Sequence, residues 1–168
     1  MATVPRDAVP VSARVPRSAR SQPVDLVGTI LQRLPHASDA LAWVRDGEGL
    51  VGWGEAARLE VTGPDRFARA RDWWRELVAH ADVDDEVGTR GSGLVAFGSF
   101  AFRDDETSVL VVPEVVLGRG GGRTWLTTIG EPPRLASPDP VRPTRGLRYA
   151  QGDMPVTGFR AAVAAAVS

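Results

Sequence analysis

The groups that could do chemistry in this chain sit in a few short stretches. Gly47-Glu48-Gly49-Leu50-Val51-Gly52 matches the dinucleotide fingerprint G-x-G-x-x-G. That chemistry needs a helix N-terminus directly after the glycines to hold a pyrophosphate. Here Trp53–Val61 follows, which reads as strand, so a hairpin turn is expected instead. Gly118-Arg119-Gly120-Gly121-Gly122-Arg123 offers backbone amides and two arginines to a phosphate, but it lacks the G-K-[ST] ending of a P-loop and precedes a strand. It reads as a hairpin tip. Asp82, Asp84, Asp85 and Glu86 offer hard-metal oxygens without the alternating order, central glycine and closing Glu of a calcium loop. They are expected to form a solvated acidic loop. His36 and His80 are the two histidines. His80, near a helix C-terminus, is electrostatically comfortable there and needs no catalytic role. Ser92 and Ser99 lack the G-x-S-x-G setting of an activated serine. The five tryptophans fall at helical or strand core positions, without a basic groove that would make them a base-stacking platform. No catalytic, cofactor-binding or metal-ligating residue is assigned.

Composition narrows the chemistry further. There is no cysteine, which excludes disulfides, thiolate nucleophiles and Cys-based zinc sites. All 20 basic residues are arginine, so no lysine is present to act as a base, a Schiff-base former or a P-loop cation. Asparagine is also missing and only Ile30 and Ile129 are isoleucine, a bias expected of a GC-rich, bacterial genome. A net charge of −1 gives no overall field toward nucleic acid or a membrane surface. No apolar run approaches the roughly 18 residues of a membrane span, and no secretion signal is evident, so a cytoplasmic protein is expected.

The elements that must position these groups are legible from periodicity. Residues 1–23 are rich in Pro and Arg and read as a disordered tail. Val24–Leu34 carries apolar residues at helical spacing and stops before Pro35. Leu41–Val44 and Leu50–Trp53 flank a turn-forming cluster and predict a hairpin, with a third strand at Arg58–Val61. Thr62-Gly63-Pro64-Asp65 opens a helix with Pro64 at its first position. Phe67, Ala70, Trp74, Leu77, Val78 and Ala81 then form its buried stripe, with Trp73 flanking. Gly91–Phe102, apolar and dotted with glycine, reads as a strand buried on both faces. Ser108–Val112 returns as its hairpin partner, Val115–Leu117 resumes after Pro113, Gly118–Gly122 turns, and Thr124–Ile129 is another strand. The expected class is α+β, a mainly antiparallel sheet covered by Phe67–Ala81. The expected divisions are the tail, an α+β region over 24–130, a Pro-rich connector over 131–155, and the start of a helix over 156–168. In that helix Phe159, Ala162, Val163, Ala166 and Val167 share a face, so it is expected to lead into a further part.

Taken in order, several of these segments resemble the N-terminal part of the chorismate-utilising enzymes, most closely an actinobacterial-type isochorismate synthase. They are Ala42–Leu59, Gly63–Phe67 with Trp73-Trp74, Gly91–Phe102 with Val109–Leu117, Trp125–Thr128, and Pro155–Val167. The resemblance implies an incomplete half of that family's fold. It implies, for the complete enzyme, a magnesium-dependent isomerisation of chorismate to isochorismate, feeding menaquinone or a salicylate-type siderophore. In that family a lysine in a K-V-V-L strand activates water, a glutamate acts as general acid and further glutamates hold the metal. Those residues would lie beyond Ser168, so this chain is expected to be inactive alone, to bind no magnesium and to have a C-terminal catalytic half as its partner. Anthranilate, aminodeoxychorismate and salicylate synthases share the architecture and stay open as alternatives, as does a non-catalytic partner-binding module.

Overall fold

The computed structural model describes residues 18–34, 40–130 and 154–167. Nine strands, two α-helices and one 3₁₀ turn occur among them. A six-stranded sheet has the order β2 (Leu41–Arg45), β3 (Glu48–Trp53), β8 (Val115–Gly120), β9 (Arg123–Ile129), β1 (Ser18–Pro23), β5 (Asp82–Asp85), and a three-stranded sheet the order β4 (Ala57–Val61), β7 (Ser108–Val112), β6 (Phe97–Ser99). Every pairing is antiparallel except β1 with β5. The fold is α+β, as the sequence predicts.

Local turn chemistry accounts for the first hairpin. β2 (Leu41–Arg45) and β3 (Glu48–Trp53) are joined by Asp46-Gly47, both with positive φ, at 53° and 81°. This is the two-residue turn whose twist matches that of the flanking strands. The second hairpin, β8 (Val115–Gly120) with β9 (Arg123–Ile129), turns on Gly121-Gly122 alone. Gly118–Gly120, expected in the turn, belong to β8.

Two neighbouring strands pass from one sheet to the other at a shared corner. β3 bends at Gly54 (φ 72°) into β4 (Ala57–Val61), and β7 (Ser108–Val112) bends at Pro113 into β8. The N–H of Ala56 donates to Val112 O at 2.8 Å and that of Ile129 to Glu114 O at 2.8 Å, so the ladder survives the bend. Switching strands of this kind form corners between packed sheets.

The core divides accordingly. On one face of the large sheet Ile30, Val51, Val115, Leu117 and Leu126 cluster, joined by Val24, Leu26 and Trp53. On the small sheet Leu59, Val61 and Leu110 pack against Ala70, and Ala57 and Val112 against Leu77, both groups joined by Trp73. The covering helix α1 (Arg66–His80) thus lies on the three-stranded sheet. Its buried residues are Arg66, Ala70 and Leu77, with Trp73 and Trp74 half-buried beside them; of the expected stripe, Phe67 and Val78 are exposed. At the first turn the buried position is taken by Arg66, paired with Asp104, while Phe67 stacks on Phe100 at the surface. Arg66 is 7% exposed and bonds to Asp104, Gly63 O and Ala101 O. Pro64 and Asp65 form the turn before the helix, so Pro64 is not its first residue.

Four further expectations are corrected. Ser18–Pro23, placed in the tail, is strand β1 between β9 and β5. Its inward side chains are small, Ala19 and Ser21, so little apolar signal marks it. Val24–Leu34 is not a helix: Val24 N–H donates to Thr124 O as β1 runs on, Gly28 has φ 91°, and only Ile30–Arg33 makes a 3₁₀ turn. Asp82–Asp85, expected as loop, is edge strand β5, exposed along its length. An edge blunted by carboxylates resists pairing with another chain.

Gly91–Phe102 is not a strand buried on both faces. Only Phe97–Ser99 is strand (β6), at the edge of the small sheet, and Phe102 is 98% exposed. Gly91–Ala96 lies across the large sheet as a strap, while Phe100 stacks on Phe67 of α1. Gly93 N–H donates to Ser21 Oγ, Trp125 Nε1–H to Gly91 O, and Leu94 and Ala96 enter the core near Trp73 and Trp74. Its glycines serve close approach: a Cβ on Gly91 would lie 3.3 Å from Leu50 and 3.5 Å from Trp125.

Residues 1–17, most of the Pro-rich connector (131–153), His36 and Ser168 lie outside the described residues. The final helix α2 (Val156–Ala166) forms as expected, with no buried residue.

Candidate functional site

The glycine motifs do not form anion cradles. Gly47 is in the β2–β3 turn and Gly49 and Gly52 are in β3, so no helix follows them. At the other tip, the N–H of Gly121 donates to Glu48 Oε1 at 3.1 Å, placing a carboxylate where a phosphate oxygen would have to sit. The adjoining cleft, about 830 Å³, is lined by Leu26, Glu48, Glu86, Arg119 and Arg123 among others. Both arginines are engaged: Arg119 donates to Leu26 O and Thr124 Oγ1, and Arg123 to Val87 O.

Three of the four carboxylates of the acidic run are engaged within the chain, and Asp82 is exposed at the start of β5. Arg20 reaches Glu86 at 2.5 Å and Asp84 at 3.7 Å, and its own pKa is raised, first by the hydrogen bond to Glu86. Asp85 accepts from Ser92 Oγ at 2.6 Å and from the N–H groups of Val87 and Gly88. Partial burial opposes its charged form, but the three hydrogen bonds together outweigh that effect and hold the carboxyl below its ordinary range. Among the described residues no group of three or more His, Asp or Glu could hold a metal ion.

Among the described residues, Ser92, Ser99 and His80 form no catalytic constellation. Ser92 caps the strap through Asp85 and the Thr89 N–H. Ser99 ends β6. His80 is exposed, its Nδ1 2.8 Å from Glu76 O.

The tryptophans divide in a way the sequence does not predict. Trp125 is 2% exposed and lies flat over Gly118, where a Cβ would come within 2.2 Å of the indole. Trp43, expected in the core, is 74% exposed on edge strand β2. In β2, Ala42 and Val44 share the covered face with Val51, so the period of two sends Leu41, Trp43 and Arg45 to the other face.

On that face lies a cleft of about 680 Å³ bounded by Trp43, Leu50, Gly91 and Trp125, with Arg45, Arg90 and Arg119 among its charged residues. Arg45 pairs with the exposed Asp46 at 3.5 Å. Among the described residues Arg90 makes no ion pair or hydrogen bond. This cleft was not legible in the sequence, because its walls come from β2, β3, β8, β9 and the start of the strap, and only the sheet order brings them together.

The family model described as chorismate binding enzyme matches residues 15–130. The match includes β1 and everything through β9. No curated protein and no solved structure matches the chain.

Proposed function

Because this chain belongs to the chorismate-binding enzyme family, we propose that it is the N-terminal scaffold of an isochorismate synthase, completed by a catalytic half that carries the lysine and glutamates of the reaction. The observation that carries this reading is the exposed stripe of α2. Val156, Phe159, Val163 and Val167 are all exposed and fall at helical spacing. An isolated helix of about this length is marginal in water, and most helices are held by packing of an apolar face. The stripe therefore calls for a partner surface, and a catalytic half entered through this helix supplies one. The family's lysine must also come from elsewhere, since this sequence contains none.

The isochorismate assignment rests on the ordered segments described above, and the finer chemistry follows from it. In the complete enzyme water adds at one ring carbon as a hydroxyl leaves another. A base, an acid and a cation meet the two developing charges. Menaquinone or siderophore precursors would be the destination of the product.

The test is to express the chain alone and in frame with the coding sequence downstream of Ser168, and to incubate each with chorismate and magnesium. Isochorismate is expected from the longer protein only. Turnover by the present chain alone would sink the scaffold reading. Anthranilate, aminodeoxychorismate or salicylate as the first product would replace isochorismate synthase with another member of the family. A downstream sequence without a K-V-V-L segment would favour a non-catalytic partner-binding module.

A further inference from the structure

We infer that the cleft between Trp43 and the strap is a binding site for a planar, singly charged carboxylate. Its floor is apolar and rigid: Leu50 and Trp125 lie beneath Gly91, whose missing side chain lets the strap backbone rest directly on them. The Trp125 ring is held from below by Gly118 and at its N–H by Gly91 O, so the floor is pre-formed. The wall is the exposed indole of Trp43, a side chain with a large face for stacking and no packing role in the described core.

The charge at this site is specific in sign. Arg90 has no ion pair or hydrogen bond among the described residues, and Arg45 has only the solvent-exposed Asp46. Glu48 is tied to the Gly121 amide and Arg119 to Leu26 O and Thr124, which leaves Arg90 as the uncommitted cation at the mouth. A guanidinium beside an aromatic wall recognises a flat anion twice, by a bidentate pair with its carboxylate and by stacking of its ring. The cleft volume, about 680 Å³, is in the range of small-molecule sites. With Asp46 and Glu48 also on its rim, the cleft has an excess of one positive charge over Arg45, Arg90 and Arg119, which suits a monoanion better than a dianion. All the residues that line the site are among the described residues.

The test uses 2-naphthoate as the probe on the full chain, with binding followed by ligand-observed NMR and by quenching of tryptophan fluorescence. Saturable binding of 2-naphthoate is expected, with neutral 2-naphthamide at least about fivefold weaker, the factor for a contact near 1 kcal/mol. Trp43→Ala and Arg90→Ala should each weaken 2-naphthoate by a similar factor, and Phe102→Ala, which removes an exposed aromatic elsewhere, should not. Both Trp43 and Arg90 are exposed, so the variants should keep the parent's circular dichroism and melting temperature. Equal binding of acid and amide, no saturable binding at millimolar probe, or loss in the Phe102 variant equal to that in the Trp43 variant would each overturn the inference.

Discussion

The indole N–H of Trp125 donates to the carbonyl oxygen of Gly91 at 3.1 Å, across 34 residues of sequence. This bond fixes the strap Gly91–Ala96 to the large sheet at the point where its backbone rests on the Trp125 ring. Trp125→Phe keeps most of the ring and removes the donor, leaving the Gly91 carbonyl without this partner. A loss of about 1–3 kcal/mol in unfolding free energy is expected from urea denaturation. A variant as stable as the parent would show that the strap is held by other contacts.

Ser21 is fully buried and joins three segments. Its Oγ is 2.7 Å from Thr127 Oγ1 and accepts from the N–H of Gly93 at 2.8 Å. Ser21→Ala leaves a buried amide and a buried hydroxyl unsatisfied, so a cost of about 1–3 kcal/mol is expected. The Gly93 amide should also exchange with solvent faster, which hydrogen–deuterium exchange can resolve. Unchanged protection at Gly93 would contradict the strap's attachment to β1.

Arg66 and Asp104 tie the start of α1 to the loop after β6, while Arg103 and Asp105 form a nearby pair that is wholly at the surface. The two aspartates therefore differ in weight. Asp104→Ala deprives a buried guanidinium of its counter-charge, whose Nε already lacks a partner, and should cost about 2 kcal/mol or more. Asp105→Ala should stay within about 1 kcal/mol, the usual range of exposed pairs. Chemical denaturation of the two variants side by side checks the ordering, and equal effects would contradict it.

Asp85 supplies a pH dependence of defined sign. Its carboxyl is held below the ordinary range in the folded state, burial notwithstanding, by Ser92, Gly88 and Val87. A group with a depressed folded pKa contributes stability that is present above its unfolded value, near about 3.9, and lost as pH falls through the folded pKa. The stability difference between the parent and Asp85→Asn should be present at neutral pH and shrink below about pH 4. Melting temperatures measured from pH 7 to pH 3 test this, and a difference that grows toward acid would refute it.

What the sequence determined by itself is what local rules govern. Asp46-Gly47 and Gly121-Gly122 supply the positive φ that two-residue turns demand, so both hairpins were readable, the second to within its turn boundaries. The α+β class and the existence of α1 followed from period and turn signals. The lack of lysine and cysteine, a matter of composition alone, removed whole classes of chemistry. The tertiary structure decided what depends on distant partners. Ser18–Pro23 is a strand because β9 and β5 flank it, although its inward residues are only Ala and Ser. The first buried position of α1 is taken by Arg66, which meets Asp104 and Ala101, 35 and more residues away. Gly91–Phe102 is apolar in either reading, and hydrophobicity cannot distinguish a buried strand from a strap laid across a sheet face. Trp43 shows the same limit: its strand was legible, but which face of that strand remains open depends on what the rest of the chain covers.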